Sequence, residues 1–276
     1  MSTPEPPLYL AACMTYSNHA SYLAEWVEFH LLVGIERFYL YDNGSTDDHR
    51  EVLAPYIEDG IVVLHEWPGQ NRRYAALDHC VSTYRDEARW IAFFDVDEFL
   101  FSSTGKPVPE MLRDYEPWPG VGVNSAVFLT SGHKTRPPGL VIESYLIRRQ
   151  LKARAIKSIV DPRRTERCVG GHNFVYSTGH AVDLAKNPVL GPRTDRYLRK
   201  YDHILRINHY FTKSEEELRD KWLGPRPDTK ALRDPEKLER ILNMHADKRD
   251  EKILMYLPAL KEALARRAEQ DRKITL

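Results

Sequence analysis

Residues Trp90–Leu100, WIAFFDVDEFL, join an apolar run to three carboxylates. The apolar part has the pattern of a buried strand, and Asp95 and Asp97 follow where that strand ends. Carboxylates two residues apart can turn together towards one ion just past a strand, and without a cation they repel each other and are costly to bury. We therefore predict a site for Mg²⁺ or Mn²⁺, hard cations that in turn hold nucleotide phosphates. An ordinary acidic turn is the alternative.

The chain before this stretch alternates between strand and helix patterns. Strand patterns cover Leu8–Met14, Arg37–Tyr41 and Ile61–Leu64, and helix patterns begin near Asn18, Arg50 and Asn71. This βαβαβαβ series with short connections predicts an α/β fold with a parallel, doubly wound sheet. In such sheets ligands bind beyond the carboxyl ends of the strands, which favours a binding site at Asp95 and Asp97 over a plain turn.

The second half of the chain is less regular and richer in Pro and Gly. Its predicted segments are strand or helix at Val121–Leu129 and Leu140–Ile147, a strand at Lys157–Val160, a helix at Ser214–Leu223, and charged helices from Pro235 onwards. We expect this half to be rich in loops and to end in a helical extension.

Composition narrows the functional classes. Among 276 residues, 42% are apolar, and 40 Lys and Arg balance 40 Asp and Glu, so no basic field attracts nucleic acid. Three cysteines without close spacing indicate neither a disulfide framework nor a zinc site. No apolar run reaches the roughly 20 residues that span a bilayer, and the start MSTPEPP is unlike a signal peptide. We expect a cytoplasmic protein without a transmembrane segment.

Four segments together resemble a known family: CMTYSNHASYLAEWVEFHLLVGIERFYLYDNGSTDD (13–48), WIAFFDVDEFL, KSIVDP (157–162) and INHYFTKSEEELRDKWLGPRPD (207–228). They resemble the bacterial branch of glycosyltransferase family 92 and related family-2-like glycosyltransferases over residues 8 to 225. The resemblance implies a GT-A fold, which is a mixed, mostly parallel sheet flanked by helices. It also implies a nucleotide-sugar donor, a divalent metal, transfer to a hydroxyl of a glycan or other acceptor, and usually inversion. We favour a UDP-sugar as the donor.

The domain prediction follows from this resemblance. A catalytic domain covers residues 1–225, with a nucleotide-binding half at 8–100 and an acceptor half at 101–225, and residues 226–276 form a C-terminal helical extension. Basic residues of that extension, Lys261, Arg266, Arg267 and Lys273, allow peripheral contact with the inner membrane. Its acidic residues favour a solvated helix or a contact between copies of the chain.

Strand ends and the resemblance together give candidate donor-site residues. Those expected near the base and ribose are Thr15, Asn18, Asp42, Asn43 and Ser45. Asp95 is expected at the ribose or metal and Asp97 as a direct metal ligand, with His209 completing the coordination or contacting the diphosphate. Glu98 either ligates through water or fixes the loop by accepting backbone hydrogen bonds. Lys157 and Lys213 are candidates for neutralising the diphosphate.

Inversion needs a base opposite the leaving group. Glu143 is the first candidate, because family members have a similar Glu-containing segment after a Gly-His pair, and Asp161, Glu166 and His172 are the alternatives. Among the aromatic residues, Trp26, Phe29 and Trp90 have core spacing. By contrast, Trp67, Trp118 and Trp222 lie near Pro and Gly, where a ring can stack on the apolar face of a sugar.

Two other functions fit parts of this pattern. A haloacid-dehalogenase-like phosphotransferase also places Asp-x-Asp after an apolar strand, but its first aspartate lies on an early strand, whereas three βα units precede Asp95 here. A non-catalytic module that binds nucleotide-sugars or carbohydrates is the second alternative, and it predicts donor binding without metal-dependent turnover.

Overall fold

A computed structural model describes residues 5–149, 155–170, 172–194, 204–226 and 229–274. The strands are β1 (Leu8–Tyr16), β2 (Arg37–Asp42), β3 (Val62–Glu66), β4 (Ala88–Phe93), β5 (Glu98–Phe101), β6 (Gly120–Phe128), β7 (Ile147–Arg148), β8 (Ile156–Val160), β9 (Thr165–Cys168), β10 (Phe174–Tyr176), β11 (Ala181–Asp183), β12 (Pro188–Val189), β13 (Arg206–Tyr210) and β14 (Lys248–Arg249). The helices are α1 (Ala20–Leu32), α2 (His49–Glu58), α3 (Arg73–Thr83), α4 (Val108–Leu112), α5 (Val141–Ser144), α6 (Glu215–Leu223), α7 (Pro235–Leu242) and α8 (Leu257–Ile274).

The main sheet has the strand order β12-β11-β6-β8-β4-β1-β2-β3. Strands β1 to β4 are parallel, with β1 between β4 and β2. The chain therefore builds outward from β1 through β2 and β3 and then crosses back to place β4 on the other side of β1. Where the strand order reverses in this way, between β1 and β4, a crevice lies at the carboxyl ends of the strands. Open α/β sheets bind ligands in such a crevice.

Strand β13 returns the chain to the turn after β4. It pairs antiparallel with β5, and in that register His209 lies opposite Glu98. It also pairs parallel with β6, while β8 runs antiparallel between β4 and β6. The sheet is therefore mixed, and this pairing brings His209 beside the carboxylates although it lies more than a hundred residues further along the chain.

The core contains the apolar faces of β1, β2, β4 and α1. Trp26 and Phe29 of α1 are fully buried, as is Trp90 of β4, as their spacing predicts. Burying a side chain of this size contributes about 2–3 kcal/mol. Ile253 and Leu260, from the C-terminal segment, belong to the same cluster. That segment therefore packs into the core of the α/β fold, and a domain boundary at residue 225 stays a prediction.

Helix α8 contacts the rest of the protein through Arg267 and Lys261, two of the basic residues considered for membrane contact. Arg267 pairs with Glu28 at 3.2 Å and with Asp59 at 2.6 Å, and Lys261 pairs with Glu143 at 2.6 Å. The side chain of Lys273 lies outside the described residues. Within the described residues, no helix has both the length and the apolar character needed to cross a membrane.

The predicted α/β architecture, with a mostly parallel sheet flanked by helices, is confirmed. Val121–Leu129, left open between strand and helix, corresponds to strand β6, which begins and ends one residue earlier. Leu140–Ile147 contains both: the four-residue helix α5 followed by the start of β7. This segment is too short for its periodicity to distinguish the two.

Candidate active site

A cavity of about 940 Å³ opens at the carboxyl ends of β1, β2 and β4. Residues that follow these strands line one side. The other side is lined by His209, Phe211, Thr212, Lys213, Glu217, Asp220, Lys221, Gly224, Pro225, Arg226 and Arg233. We call this second side the α6 wall. Asp95 and Asp97 lie between the two sides, as the strand pattern predicts for ligand-binding carboxylates.

Glu98 fixes the turn that carries the two aspartates. Its Oε2 accepts a hydrogen bond from the Asp95 backbone N–H at 2.9 Å. Helix α1 holds the turn from the core side: Trp26 Nε1 donates to the Glu98 carbonyl at 3.0 Å, and the Leu100 N–H donates to His30 Nε2 at 3.1 Å. Burial lowers the pKa of His30 to about 3, so the imidazole is neutral and can accept that bond. Of the two roles expected for Glu98, these contacts favour the backbone one.

Both oxygens of Asp95 are engaged by cations. Arg73 Nη2 lies 2.5 Å from Oδ1, and Lys157 Nζ lies 2.5 Å from Oδ2 and 2.7 Å from Glu98 Oε2. Burial favours the neutral acid, but Lys157 and Arg73 outweigh it and hold the pKa of Asp95 well below its usual range. Burial likewise works against the charge on Lys157, yet Asp95 and Glu98 keep the pKa of this lysine raised. The four side chains form one charge network, in which Lys157 and Glu98 are buried and Arg73 and Asp95 are partly exposed.

Asp97 faces His209 across the floor of the cavity. Its Oδ1 lies 3.6 Å from His209 Nε2, and its Oδ2 lies 3.1 Å from Lys221 Nζ. His209 Nδ1 is 3.4 Å from Glu98 Oε1. Burial raises the pKa of Asp97, but Lys221 and His209 lower it by more, so this pKa lies well below its usual value. Burial lowers the pKa of His209, but Asp97 and Glu98 raise it by more, so this pKa lies above its usual value.

Asp97 and His209 fit a divalent cation better than Asp95 does. Within the described residues, no group of three or more His, Cys, Asp or Glu side chains is arranged as a metal cage. Mg²⁺ seldom needs such a cage, because it keeps several waters and binds one or two carboxylates together with substrate phosphates. Asp97 Oδ1 and His209 Nε2, which lie 3.6 Å apart, suit this arrangement, whereas the Asp95 oxygens already contact Arg73 and Lys157.

Thr15, Asn18 and Asn43 line the side of the cavity formed by β1 and β2. Trp67, which follows β3, lines it too, and the Arg72 guanidinium lies over its ring at 5.0 Å from the centroid. Polar amides beside an aromatic face are what a nucleoside needs, since the base stacks and its edge and the ribose form hydrogen bonds.

Asp42 and Ser45 do not line the cavity. Their hydrogen bonds stabilise the loop behind its wall. The Ser45 N–H and Oγ both donate to Asp42 Oδ1, at 3.0 and 2.5 Å. Ser45 Oγ in turn accepts from the Asn18 N–H at 2.8 Å. Asn18 has a φ of 56°, a left-handed conformation that Asn adopts more readily than most residues. These bonds tie the loop after β2 to the loop after β1.

The structure separates the candidate bases. His172 lines the cavity, and its buried Nδ1 has no hydrogen-bond partner in the described part of the chain. Burial, with a smaller contribution from Lys157, lowers the pKa of His172 to about 4, so the imidazole is neutral at pH 7. Glu143, Asp161 and Glu166 are not among the lining residues.

Glu143 has a local structural role instead. Its Oε1 accepts from the Leu140 N–H at 2.9 Å and caps α5, while Oε2 contacts Lys261 of α8 at 2.6 Å. The hydrogen bond with Lys261 lowers the pKa of Glu143 against a smaller effect of burial. These contacts direct the carboxylate away from the cavity and do not support a catalytic role.

The two candidate lysines also differ in position. Lys157 lies behind Asp95 and does not line the cavity, so it stabilises the carboxylates instead of meeting a ligand directly. Lys213 lines the cavity on the α6 wall, and its ammonium lies 3.4 Å from the centroid of the Tyr22 ring. Burial lowers the pKa of Lys213 to about 7, although Asp97 acts in the opposite direction.

Sequence reasoning missed Arg73, Asp220 and Lys221, all of which line the cavity. A signal existed for Arg73, because it begins the helix after β3 and such helix starts lie at the carboxyl edge of the sheet. No comparable signal marks Asp220 or Lys221, which lie on a helix of ordinary charged surface composition.

The three tryptophans proposed as sugar platforms lie in different surroundings. Trp67 lines the cavity, but Trp118 and Trp222 do not. Trp222 is buried in a small cluster with Leu218, Leu238 and Ile241, and its Nε1 donates to the Asp234 carbonyl at 2.7 Å. It therefore attaches α7 to α6.

Large parts of the chain are similar to curated proteins. A glycosyltransferase family 92 protein of Ricinus communis is 29% identical over 228 residues, which are 79% of this chain and 38% of that protein. The galactan β-1,4-galactosyltransferase GALS3 of Arabidopsis thaliana is 33% identical over 121 residues, covering 39% of this chain and 24% of that protein. The chain thus spans less than half the length of these curated relatives.

Similarity to solved structures is weaker. GalNAc-T7 with UDP, GalNAc and Mn²⁺ is 10% identical with a TM-score of 0.40, over 80% of this chain and 49% of that chain. S. aureus TarS 1-349 in complex with UDP is 11% identical with a TM-score of 0.38, over 56% and 47%. The sequence model of glycosyltransferase family 92 matches residues 9–247. The match includes β1 to β13 and every carboxylate of the cavity, and on this basis the chain belongs to glycosyltransferase family 92.

Proposed function

We propose that this protein transfers a sugar from a nucleotide-sugar, with a UDP-sugar favoured, to a hydroxyl of a glycan or other acceptor, with inversion and with a divalent metal. The observation that carries this proposal is the approach of Asp97 Oδ1 to His209 Nε2 at 3.6 Å on the cavity floor, beside the crevice between β1 and β4. Family membership favours glycosyl transfer over the phosphotransfer that Asp-x-Asp alone leaves open.

In this proposal the nucleoside lies along Thr15, Asn43 and Trp67, and the diphosphate lies at the carboxylates. Asp97 and His209 would hold the metal ion, which when bound stabilises the negative charge that develops on the departing diphosphate. Arg73 and Lys157 keep Asp95 ionised and fixed, so the charges of the site are in place before the donor binds.

We place the catalytic base at Asp220, with His172 as the alternative. Among the carboxylates that line the cavity, Asp95 and Asp97 pair with cations, and Glu217 accepts from the Ser214 N–H and hydroxyl. Asp220 is exposed on the α6 wall, where an acceptor hydroxyl would approach. Asp220→Asn should lower kcat by about 100-fold or more and leave UDP affinity unchanged, whereas an effect confined to His172→Gln would support the alternative.

Calorimetric titration of UDP, GDP, CDP and dTDP, each with and without Mn²⁺, tests the donor site. We expect one diphosphate to bind the wild type only with metal, and Asp97→Asn to abolish this binding. The matched control is Asp114→Asn, an exposed aspartate outside the cavity, which should bind as the wild type does. Binding of none of the four would refute the donor site, and binding without turnover on any acceptor would favour the non-catalytic module. Because the galactan synthases among the relatives are β-1,4-galactosyltransferases, UDP-galactose is the first donor to test.

A further inference from the structure

More cationic than carboxylate side chains line the cavity. Six cationic and four carboxylate side chains of the described residues line it. Arg73 is committed to Asp95, and Lys221 to Asp97. The remaining four cationic side chains either contact other groups of the protein or are available to bind a ligand.

Two further cations have partners of their own. Arg72 lies over the ring of Trp67, at the nucleoside end. Arg233 donates to the carbonyls of Lys221 and Gly224, which closes the segment after α6 into a loop. Their guanidinium groups therefore stabilise the walls of the cavity.

Lys213 and Arg226 remain, and both lie on the α6 wall. Lys213 has a φ of 51°, a left-handed conformation that lysine seldom adopts and that surrounding structure must maintain. This backbone brings its ammonium over the Tyr22 ring at 3.4 Å from the centroid. Within the described part of the chain, no carboxylate lies within ion-pair distance of Lys213 or Arg226, so a ring face is the strongest contact that the Lys213 ammonium makes there.

The carboxylate nearest in sequence does not neutralise Lys213. Glu217 Oε2 accepts from the Ser214 N–H at 3.1 Å, from the Ser214 hydroxyl at 2.7 Å and from Tyr145 Oη at 3.1 Å. Its Oε1 accepts from the Tyr22 hydroxyl, so neutral donors engage both oxygens. A part-buried ammonium without a counter-charge is unfavourable, and binding of an anion from solution would relieve this cost.

The donor is not that anion if it binds as proposed. Its diphosphate lies with the metal at Asp97 and His209, and the sugar beyond it faces the α6 wall. The group that meets Lys213 and Arg226 would then belong to the molecule that receives the sugar. Resting on the proposed glycosyl transfer, we propose that the acceptor is anionic and presents a carboxylate or phosphate, close to its reacting hydroxyl, to Lys213 and Arg226.

Trigalacturonate and its methyl ester test this inference, because methyl esterification removes the charge of each carboxylate and keeps the sugar backbone. Each is titrated into protein saturated with UDP and Mn²⁺, and galactose 6-phosphate is compared with galactose to separate phosphate from carboxylate recognition. We expect the charged member of at least one pair to bind about tenfold more tightly than its neutral partner. Lys213→Met and Arg226→Met should each remove this preference, while Lys237→Met, an exposed lysine of α7 outside the cavity, should retain it.

UDP affinity, measured on the same variants with Mn²⁺, separates this inference from the donor proposal. Unchanged UDP affinity in Lys213→Met supports a role at the acceptor. Weakened UDP affinity in that variant assigns Lys213 to the diphosphate and overturns the inference, as does equal or absent binding of the charged and neutral compounds. Absence of UDP binding by the wild type is a different result, which refutes the donor site itself.

Discussion

Lys221 Nζ lies 3.1 Å from Asp97 Oδ2, so an ammonium from α6 contacts the carboxylate that also faces His209. A divalent ion placed between Asp97 and His209 would compete with this ammonium for the negative charge. Lys221 is partly exposed, with 41% of its side chain accessible, and can move towards solvent when a metal binds. Metal affinity should therefore include the cost of displacing Lys221.

We predict that Lys221→Met binds Mn²⁺ more tightly. Removal of the competing ammonium leaves Asp97 more negative towards the ion, and a surface ion pair worth about 1 kcal/mol corresponds to a decrease of about fivefold in the half-saturating Mn²⁺ concentration. Isothermal titration with Mn²⁺ measures it, and Lys237→Met is the control. Weaker binding in Lys221→Met would mean that this lysine assists the metal site.

We predict that Lys157→Met destabilises the fold by about 3 kcal/mol or more. The substitution leaves Glu98, which is fully buried, and Asp95 without their shared cation, and breaking a buried pair by removing one partner has a cost of this size. Urea unfolding measures the loss. Lys106→Met, which breaks an exposed pair with Glu110, should cost less than about 1 kcal/mol. Similar losses in the two variants would show that the buried network contributes little.

We predict a pH-dependent contribution to stability from Glu25. Burial raises the pKa of this carboxyl to about 7, although it accepts from the Val141 and Ile142 N–H groups, which act in the opposite direction. The native state thus holds the proton more tightly than the unfolded chain, whose pKa is near 4.5. The stabilisation is complete below pH 4.5 and is lost as the pH rises through 7, with a size of about 3 kcal/mol.

Glu25→Gln should remove this pH dependence. The free energy of unfolding, measured from pH 4.5 to 8 for the wild type and the variant, should differ by an amount that changes across this range. Glu51→Gln, at an exposed position of α2, should parallel the wild type. Parallel curves for Glu25→Gln as well would mean that its carboxylate is charged in the native protein throughout.

We predict that Trp67→Ala weakens UDP binding about tenfold. Stacking of a base on an aromatic ring is worth about 1–3 kcal/mol, and Trp67 provides such a ring beside Asn43 at the cavity wall. Calorimetry with Mn²⁺ present gives the change in Kd. The control is Tyr74→Ala, an aromatic residue of α3 that is half exposed and outside the cavity lining. If Trp67→Ala alters only acceptor binding, the ring is a sugar platform instead.

The sequence predicted the position of the site because backbone topology determines it. Asp95 and Asp97 follow a parallel strand, and the carboxyl ends of such strands meet at one edge whatever the side chains do. The cationic partners of these carboxylates could not be predicted in the same way. Arg73, Lys157 and Lys221 lie on three elements that are distant in sequence, α3, β8 and α6. Only the packing of these elements shows which cation contacts which carboxylate. The sequence likewise does not reveal that the Glu143 carboxylate accepts from the Leu140 N–H and contacts Lys261, and its assignment as the base stays a prediction.

The hydrogen bond from the Leu100 N–H to His30 has a consequence for how activity should depend on pH. Since this imidazole has a pKa of about 3, it does not titrate at any pH at which an enzyme assay is run. Trp26 Nε1, the other contact from α1 to the turn, has no ionisation in that range either. The attachment of the turn that carries Asp95 and Asp97 to α1 therefore does not depend on pH in this range. A rise or fall in turnover between pH 5 and 9 would therefore originate in other groups, such as those that meet the substrates or the Glu25 carboxyl of α1.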